Sequence, residues 1–173
     1  MTATVHHTPV SDFTLSDMAA CAGTEIALLD ASMYADEVTL DWGDGTGPAA
    51  NSVGTHAFDN DNFEPMVVEV VQTATTAFGC EAHTSVNHTV FPKVTADFVA
   101  PAPACAPLTL TLVNQSTNAN GTFTWDFGDG SPTSSSAQPS HLFDTDADAS
   151  SVYTIQLNAT STYGCADLSL IHI

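Results

Sequence analysis

The sequence predicts an all-β fold: two tandem immunoglobulin-like β-sandwiches, each with one disulfide. Three observations predict it. Short apolar alternations are separated by turns rich in Gly, Pro, Asp and Ser, and no stretch shows convincing helical periodicity. Landmark residues of the first half recur in the second at a constant offset, the mark of an internal duplication. The 4 cysteines divide two to each half, at matching places.

The duplication fixes the register. Phe13, Gly43, Asp44, His56, Phe58, Gly79 and Cys80 each have an identical residue 85 positions later, at Phe98, Gly128, Asp129, His141, Phe143, Gly164 and Cys165. Cys21 and Cys105 fall one position short of that offset, a slip within the preceding loop. The expected domains are residues 1–89 and 90–173.

Taken in order, the first repeat opens around Val5 and Phe13, and each repeat reaches its first cysteine and then enters a strand. That strand is Glu25 to Asp30 in the first copy and Leu108 to Val113 in the second. Leu108, Leu110 and Leu112 alternate with Thr109 and Thr111, which sets one apolar face against one polar face. Next comes a strand through Val38, Leu40 and Trp42, matched by Phe123, Trp125 and Phe127. It runs into Asp41-Trp42-Gly43-Asp44-Gly45 in one copy and Asp126-Phe127-Gly128-Asp129-Gly130 in the other. Asp-Gly after an aromatic run signals a tight turn, because Gly adopts positive φ and Asp bonds the local backbone. A polar loop follows, Ser131 to Ser136 in the second copy, then the short strands His56-Ala57-Phe58 and His141-Leu142-Phe143. Acidic loops come next, then a long alternating strand through Tyr153, Ile155, Leu157 and Ala159. Its first-copy equivalent places Val68, Val70 and Ala74 on one face, with Gln72 interrupting the pattern. Phe78-Gly79-Cys80 and Tyr163-Gly164-Cys165 turn each chain into a last strand. Between the repeats, Phe91 to Phe98 holds no Gly/Ser run, so a stiff junction is expected.

Charge excludes several functions. There are 20 acidic residues against 1 basic residue, Lys93, for a net charge of −19. Such a surface repels nucleic acid and anionic lipid, so neither is an expected partner. No apolar run is long enough for a membrane span. The first residues have neither the basic nor the apolar region of a signal peptide, so an extracellular protein is expected to be represented here by a mature fragment. The alternation from Leu168 to Ile173 reads as a strand cut at a repeat boundary.

Four cysteines admit three pairings. Because each repeat is expected to fold alone, Cys21–Cys80 and Cys105–Cys165 is the expected arrangement. Loops of that length stabilise a domain by roughly 3–5 kcal/mol in the chain-entropy model. Disulfides point in turn to an oxidising, extracellular setting.

Trp125-Asp126-Phe127-Gly128-Asp129-Gly130, then His141-x-Phe143, Tyr153-x-Ile155-x-Leu157 and Tyr163-Gly164-Cys165, closely resembles the PKD (polycystic-kidney-disease) domain. The paired cysteines resemble the version in bacterial surface and gliding-associated proteins. The first copy departs from the pattern, with Leu40 and Trp42 standing where Trp125 and Phe127 stand. The resemblance implies a non-catalytic spacer or adhesive segment of a large secreted or cell-surface protein: a stalk, filament or surface-layer repeat. Its alternative is a carbohydrate- or protein-binding accessory module of a secreted hydrolase. Expected partners are neighbouring repeats, further copies joined as a filament by strand addition, and surface glycans.

Trp42, Trp125 and Phe127 suit sugar stacking, yet their alternating apolar neighbours place them in the core. The pairs Asp41/Asp44 and Asp126/Asp129 suit glycoside hydrolysis only across a concave cleft, which a hairpin turn does not provide. No catalytic residue is therefore expected. His56 and His141 lack a second ligand at metal spacing and are expected to bond the turn backbone or an Asp. The acidic loops carry the ligand expectation: Asp59 and Asp61 in the first copy, and Asp144, Asp146 and Asp148 in the second, offer alternating oxygens of the kind Ca²⁺ takes. Asn87, Asn114, Asn120 and Asn158 head N-glycosylation patterns.

Overall fold

A computed structural model describes residues 4–47, 49–50, 54–99, 105–144 and 151–173. Every regular element among them is a β-strand, and the chain divides into two compact units, Met1–Pro92 and Lys93–Ile173.

The first unit contains β1 (Phe13–Leu15), β2 (Ala19–Cys21), β3 (Glu25–Asp30), β4 (Glu37–Asp41), β5 (Ala49–Ala50), β6 (Gly54–Ala57), β7 (Met66–Thr75) and β8 (Glu81–Phe91). They form a three-stranded sheet in the order β1-β3-β6 and a five-stranded sheet in the order β2-β8-β7-β4-β5. Its longest ladder is β7–β8, antiparallel from Met66↔Val90 to Thr75↔Glu81. The period-2 geometry of a strand sends alternate side chains to one face. Thus Phe13, Ile26 and Leu28 of one sheet meet Leu40, Val68, Val70 and Val90 of the other, with Trp42 and Phe58 completing the core.

The interruption at Gln72 is real and accommodated. Its side chain is 0% exposed and lies on the same face as Val68, Val70 and Ala74. Its amide N–H donates to Asp30 Oδ1 at 3.0 Å, while its carbonyl oxygen accepts the hydroxyls of Ser32 at 3.0 Å and Ser11 at 3.1 Å. A buried amide with its partners in place avoids the desolvation penalty that an orphan would carry.

The second unit contains β9 (Phe98–Val99), β10 (Leu108–Thr111), β11 (Val113–Asn114), β12 (Phe123–Asp126), β13 (Ser140–Phe143), β14 (Thr154–Thr160) and β15 (Ala166–His172). Its ladders are β10–β13, β9–β11 and β12-β14-β15. Phe98, Leu110, Leu112, Trp125, Phe127, Phe143, Ile155, Leu157 and Ala159 are buried, which follows the alternation read from the sequence. Trp125 is fully buried, and its Nε1–H donates to the Ser136 carbonyl at 2.8 Å.

The cysteines depart from expectation. Cys80 and Cys105 are free thiols, whereas Cys21 and Cys165 are disulfide-bonded, so neither Cys21–Cys80 nor Cys105–Cys165 forms. Strand geometry gives the reason. β2 runs parallel to β8 with Cys21 opposite Phe91, the last residue of that strand, while Cys80 directly precedes its first, Glu81. Ten steps along a strand separate the two by roughly 30 Å. A disulfide needs Cα atoms within about 7 Å. The second unit has the same polarity. Cys165 lies in the hairpin joining Thr160 to Ala166, but Leu108, just after Cys105, pairs with Phe143, whose ring packs on Tyr153 at the other end of β14.

Candidate functional site

The repeated signature forms the same turn in both units. β4 and β12 each end on an Asp whose Oδ1 accepts the backbone N–H two residues on: Asp41 from Gly43 and Asp126 from Gly128, both at 2.9 Å. Those glycines are required. Gly43 has φ +75° and Gly128 has φ +74°, and an added Cβ would collide with the carbonyl oxygens of Glu69 and Thr154 respectively. Gly45 and Gly130 also have positive φ, but around them a Cβ would meet open space.

A second Asp closes the turn. Asp44 Oδ1 accepts the Thr46 N–H at 3.0 Å and its hydroxyl at 2.6 Å, and Asp129 Oδ1 accepts the Ser131 N–H at 3.0 Å. The other carboxylate oxygen meets the histidine of the next strand: Asp44 Oδ2 lies 2.6 Å from His56 Nε2, and Asp129 Oδ2 lies 2.7 Å from His141 Nε2. Each imidazole stacks on the signature aromatic and is met edge-on by the following Phe. His56 lies 4.8 Å from Trp42 at 15°, and His141 lies 3.8 Å from Phe127 at 3°. Phe58 and Phe143 both approach at 4.7 Å, at 74° and 81°. The result, built twice, is an Asp–His clamp that ties the turn after one strand to the start of another.

Electrostatics match this geometry. Partial burial works to raise the pKa of Asp129, but hydrogen bonds from the Ser131 hydroxyl, His141 and the Ser131 backbone, with the His141 charge, outweigh it and hold it at about 2. Asp44 is also held below the usual carboxylate range: burial opposes, and Thr46 and His56 prevail. Both acids are ionised and committed to hydrogen bonds, the opposite of a poised general acid.

Of the Ca²⁺ expectation, Asp59, Asp61 and Asp144 are exposed, while Asp146 and Asp148 lie outside the described residues. Asn60 organises the first loop. It is buried and donates to the carbonyls of Glu64 at 3.0 Å and Val90 at 2.8 Å, and its own oxygen accepts the Asn62 N–H at 3.1 Å. Among the described residues no three His, Cys, Asp or Glu side chains converge in a way that could hold a metal. A depression of about 580 Å³ in the first unit is bordered by Asp44, His56, Asp59 and Met66.

One histidine escaped the sequence reading. His88 is 0% exposed, stacks on Phe58 at 5.2 Å, and donates from Nδ1 to the Asp17 carbonyl at 3.0 Å, leaving Nε2 without a partner. It stands within the N-glycosylation pattern headed by Asn87. Asn87 is exposed, but its neighbour faces the core.

Residues 89–171 match the family model described as the PKD domain. No curated protein matches the chain. Similar solved structures include a study of promiscuous carbohydrate-binding modules of the β-sandwich superfamily, at 13% identity and TM-score 0.45, covering 98% of this chain and 85% of that one. Another is the fibronectin(III)-like modules of CbhA from Clostridium thermocellum, at 11% identity and TM-score 0.37, covering 94% and 93%. A third is a 1.5-MDa bacterial ice-binding adhesin, at 12% identity and TM-score 0.37, covering 96% of this chain and 64% of that one. No helix among the described residues is long and apolar enough to cross a membrane.

Proposed function

Starting from a chain that carries a PKD domain over residues 89–171, we propose a non-catalytic structural segment of an extracellular or cell-surface protein, a spacer made of repeated β-domains. One observation carries the reading. The signature acids and histidines, the best catalytic candidates in the sequence, are used up in both units by the turn itself. A fold device repeated with its polar groups satisfied serves mechanical integrity, since each clamp ties two strands at one end of a unit. The charge of −19 keeps such a surface dispersed at low salt.

The depression beside His56 favours a second reading, a glycan-binding accessory role, because it combines acidic and apolar edges. Against it, Trp42, Trp125 and Phe127 are buried and offer no stacking platform. Pull-down on chitin, cellulose and a glycan array separates the two. The spacer reading expects no retention above that of an unrelated acidic protein. Saturable retention, lost on substituting Asp59 or His56, overturns it in favour of the accessory module.

A further inference from the structure

We propose that the Asp–His clamp has a chemical role beside its mechanical one: it blocks succinimide formation, and so isoaspartate damage, at the Asp44-Gly45 and Asp129-Gly130 bonds. This role goes beyond the spacer reading and does not rest on it.

An Asp-Gly bond is chemically labile. The Gly backbone nitrogen attacks the carboxyl carbon of the Asp side chain, the carboxyl hydroxyl leaves as water, and a five-membered succinimide closes. Water then opens the ring at either carbonyl. One opening returns Asp, and the other leaves isoaspartate, with the main chain rerouted through the side-chain carbon. The water lost on closure is regained on opening, so no further reactant is needed. Gly favours the attack because it has no Cβ beside its nitrogen. Asp is followed by Gly at two places in the sequence, 44–45 and 129–130, and each lies inside a clamp. The other signature acids, Asp41 and Asp126, precede Trp42 and Phe127, whose side chains crowd the attacking nitrogen. Packing gives Gly45 and Gly130 no such cover, since a Cβ at either would meet nothing within 4 Å.

The clamp supplies the protection instead. Closure needs a protonated carboxyl, because an ionised one has no hydroxyl to lose. In Asp129, Oδ1 accepts the Ser131 N–H at 3.0 Å and Oδ2 lies 2.7 Å from His141 Nε2. In Asp44, Oδ1 accepts the Thr46 N–H at 3.0 Å and its hydroxyl at 2.6 Å, and Oδ2 lies 2.6 Å from His56 Nε2. A carboxylate can only accept, so each imidazole donates from Nε2. A proton placed on either oxygen would then face another donor. Against the opposing effect of burial, these bonds lower the Asp129 carboxyl from 3.8 to about 2, which cuts its protonated fraction at neutral pH about sixty-fold. Bonds at both oxygens also hold the carboxyl plane, so turning its carbon onto the Gly nitrogen breaks them. The two copies differ around the clamp, with Trp42 for Phe127 and Thr46 for Ser131, yet both keep the Asp-Gly pair together with its histidine.

The test ages the full chain in warm, mildly acidic buffer and reads isoaspartate bond by bond, by peptide mass spectrometry and resistance to an Asp-specific protease. Folded wild type should stay low at both Asp-Gly bonds, whereas wild type unfolded in urea should age at both. His141→Ala should raise isoaspartate at Asp129-Gly130 about tenfold, within the ceiling of about sixty-fold, and leave Asp44-Gly45 unchanged. His56→Ala should do the reverse, so each unit is the other's control. His141→Gln returns an N–H donor to Oδ2 and should restore most of the protection. Trp125→Phe weakens the second unit with its clamp intact and should age as wild type does, which separates the clamp from stability. The proposal is overturned if folded wild type ages as fast as the unfolded chain, or if His141→Ala leaves Asp129-Gly130 at the wild-type level. It is equally overturned if Trp125→Phe ages that bond as fast as His141→Ala. None of these results touches the polysaccharide test, so failure here is distinguishable from failure of the spacer reading.

Discussion

Replacing Asp129 with Asn removes the charge from one clamp while keeping its size. In the wild type Oδ2 sits 2.7 Å from His141 Nε2, and Oδ1 holds the Ser131 N–H at 3.0 Å. The carboxyl is lowered from 3.8 to about 2. At about 1.4 kcal/mol per unit that sets a ceiling near 2.5 kcal/mol, which solvent at the rim reduces to about 1–2 kcal/mol. The sign follows from the direction. A folded value below the unfolded one gives stability that is fully present above about pH 4 and lost as pH falls through about 2. Trp42→Phe, which copies the residue found at Phe127, leaves Trp125 as the only indole and so reports on the second unit. Urea unfolding of Asp129→Asn in that background, followed by fluorescence, should show a deficit of about 1–2 kcal/mol at pH 7 that narrows towards zero near pH 2. A deficit that stays constant across pH, or none at pH 7, refutes the clamp argument.

Further outcomes follow from the same geometry. Gly128→Ala should destabilise the second unit by about 2–4 kcal/mol, through positive φ and the collision with the Thr154 carbonyl, whereas Gly130→Ala should cost only about 1 kcal/mol; equal losses in denaturant titrations would contradict the contrast. Gln72→Ala leaves Ser11, Ser32 and Asp30 without their shared partner and should lower first-unit stability by about 2–3 kcal/mol, seen as a fall in melting temperature. Trp125→Phe removes the N–H bonded to the Ser136 carbonyl and leaves a small void, for a loss of about 1–3 kcal/mol by urea unfolding.

Much of this was legible in the sequence because the duplication printed each local rule twice. The Asp-aromatic-Gly-Asp-Gly run specifies positive φ and an Asx bond within a few residues, and the matched His56 and His141 pointed to a local bond with an Asp. Gln72 was illegible: its place on the core face contradicts alternation, and its partners Ser11, Asp30 and Ser32 lie far away in sequence. The cysteine pairing failed for a related reason. Assigning bridges within repeats assumes that residues of one unit are mutually reachable, but the parallel pairing of β2 with β8 carries Cys21 to the end remote from Cys80. Periodicity shows which face a residue takes, not which end of a sheet it reaches. His88 and Asn60 were missed because a buried polar residue looks, in sequence, like an exposed one.

Single-molecule pulling on the chain, held at its two ends in reducing buffer, tests the spacer reading most directly. The account predicts two separate unfolding events, each releasing roughly 250–300 Å of chain, as two mechanically independent β-domains of about 85 residues would. Smooth extension without force peaks, or a single event spanning the whole chain, would contradict it.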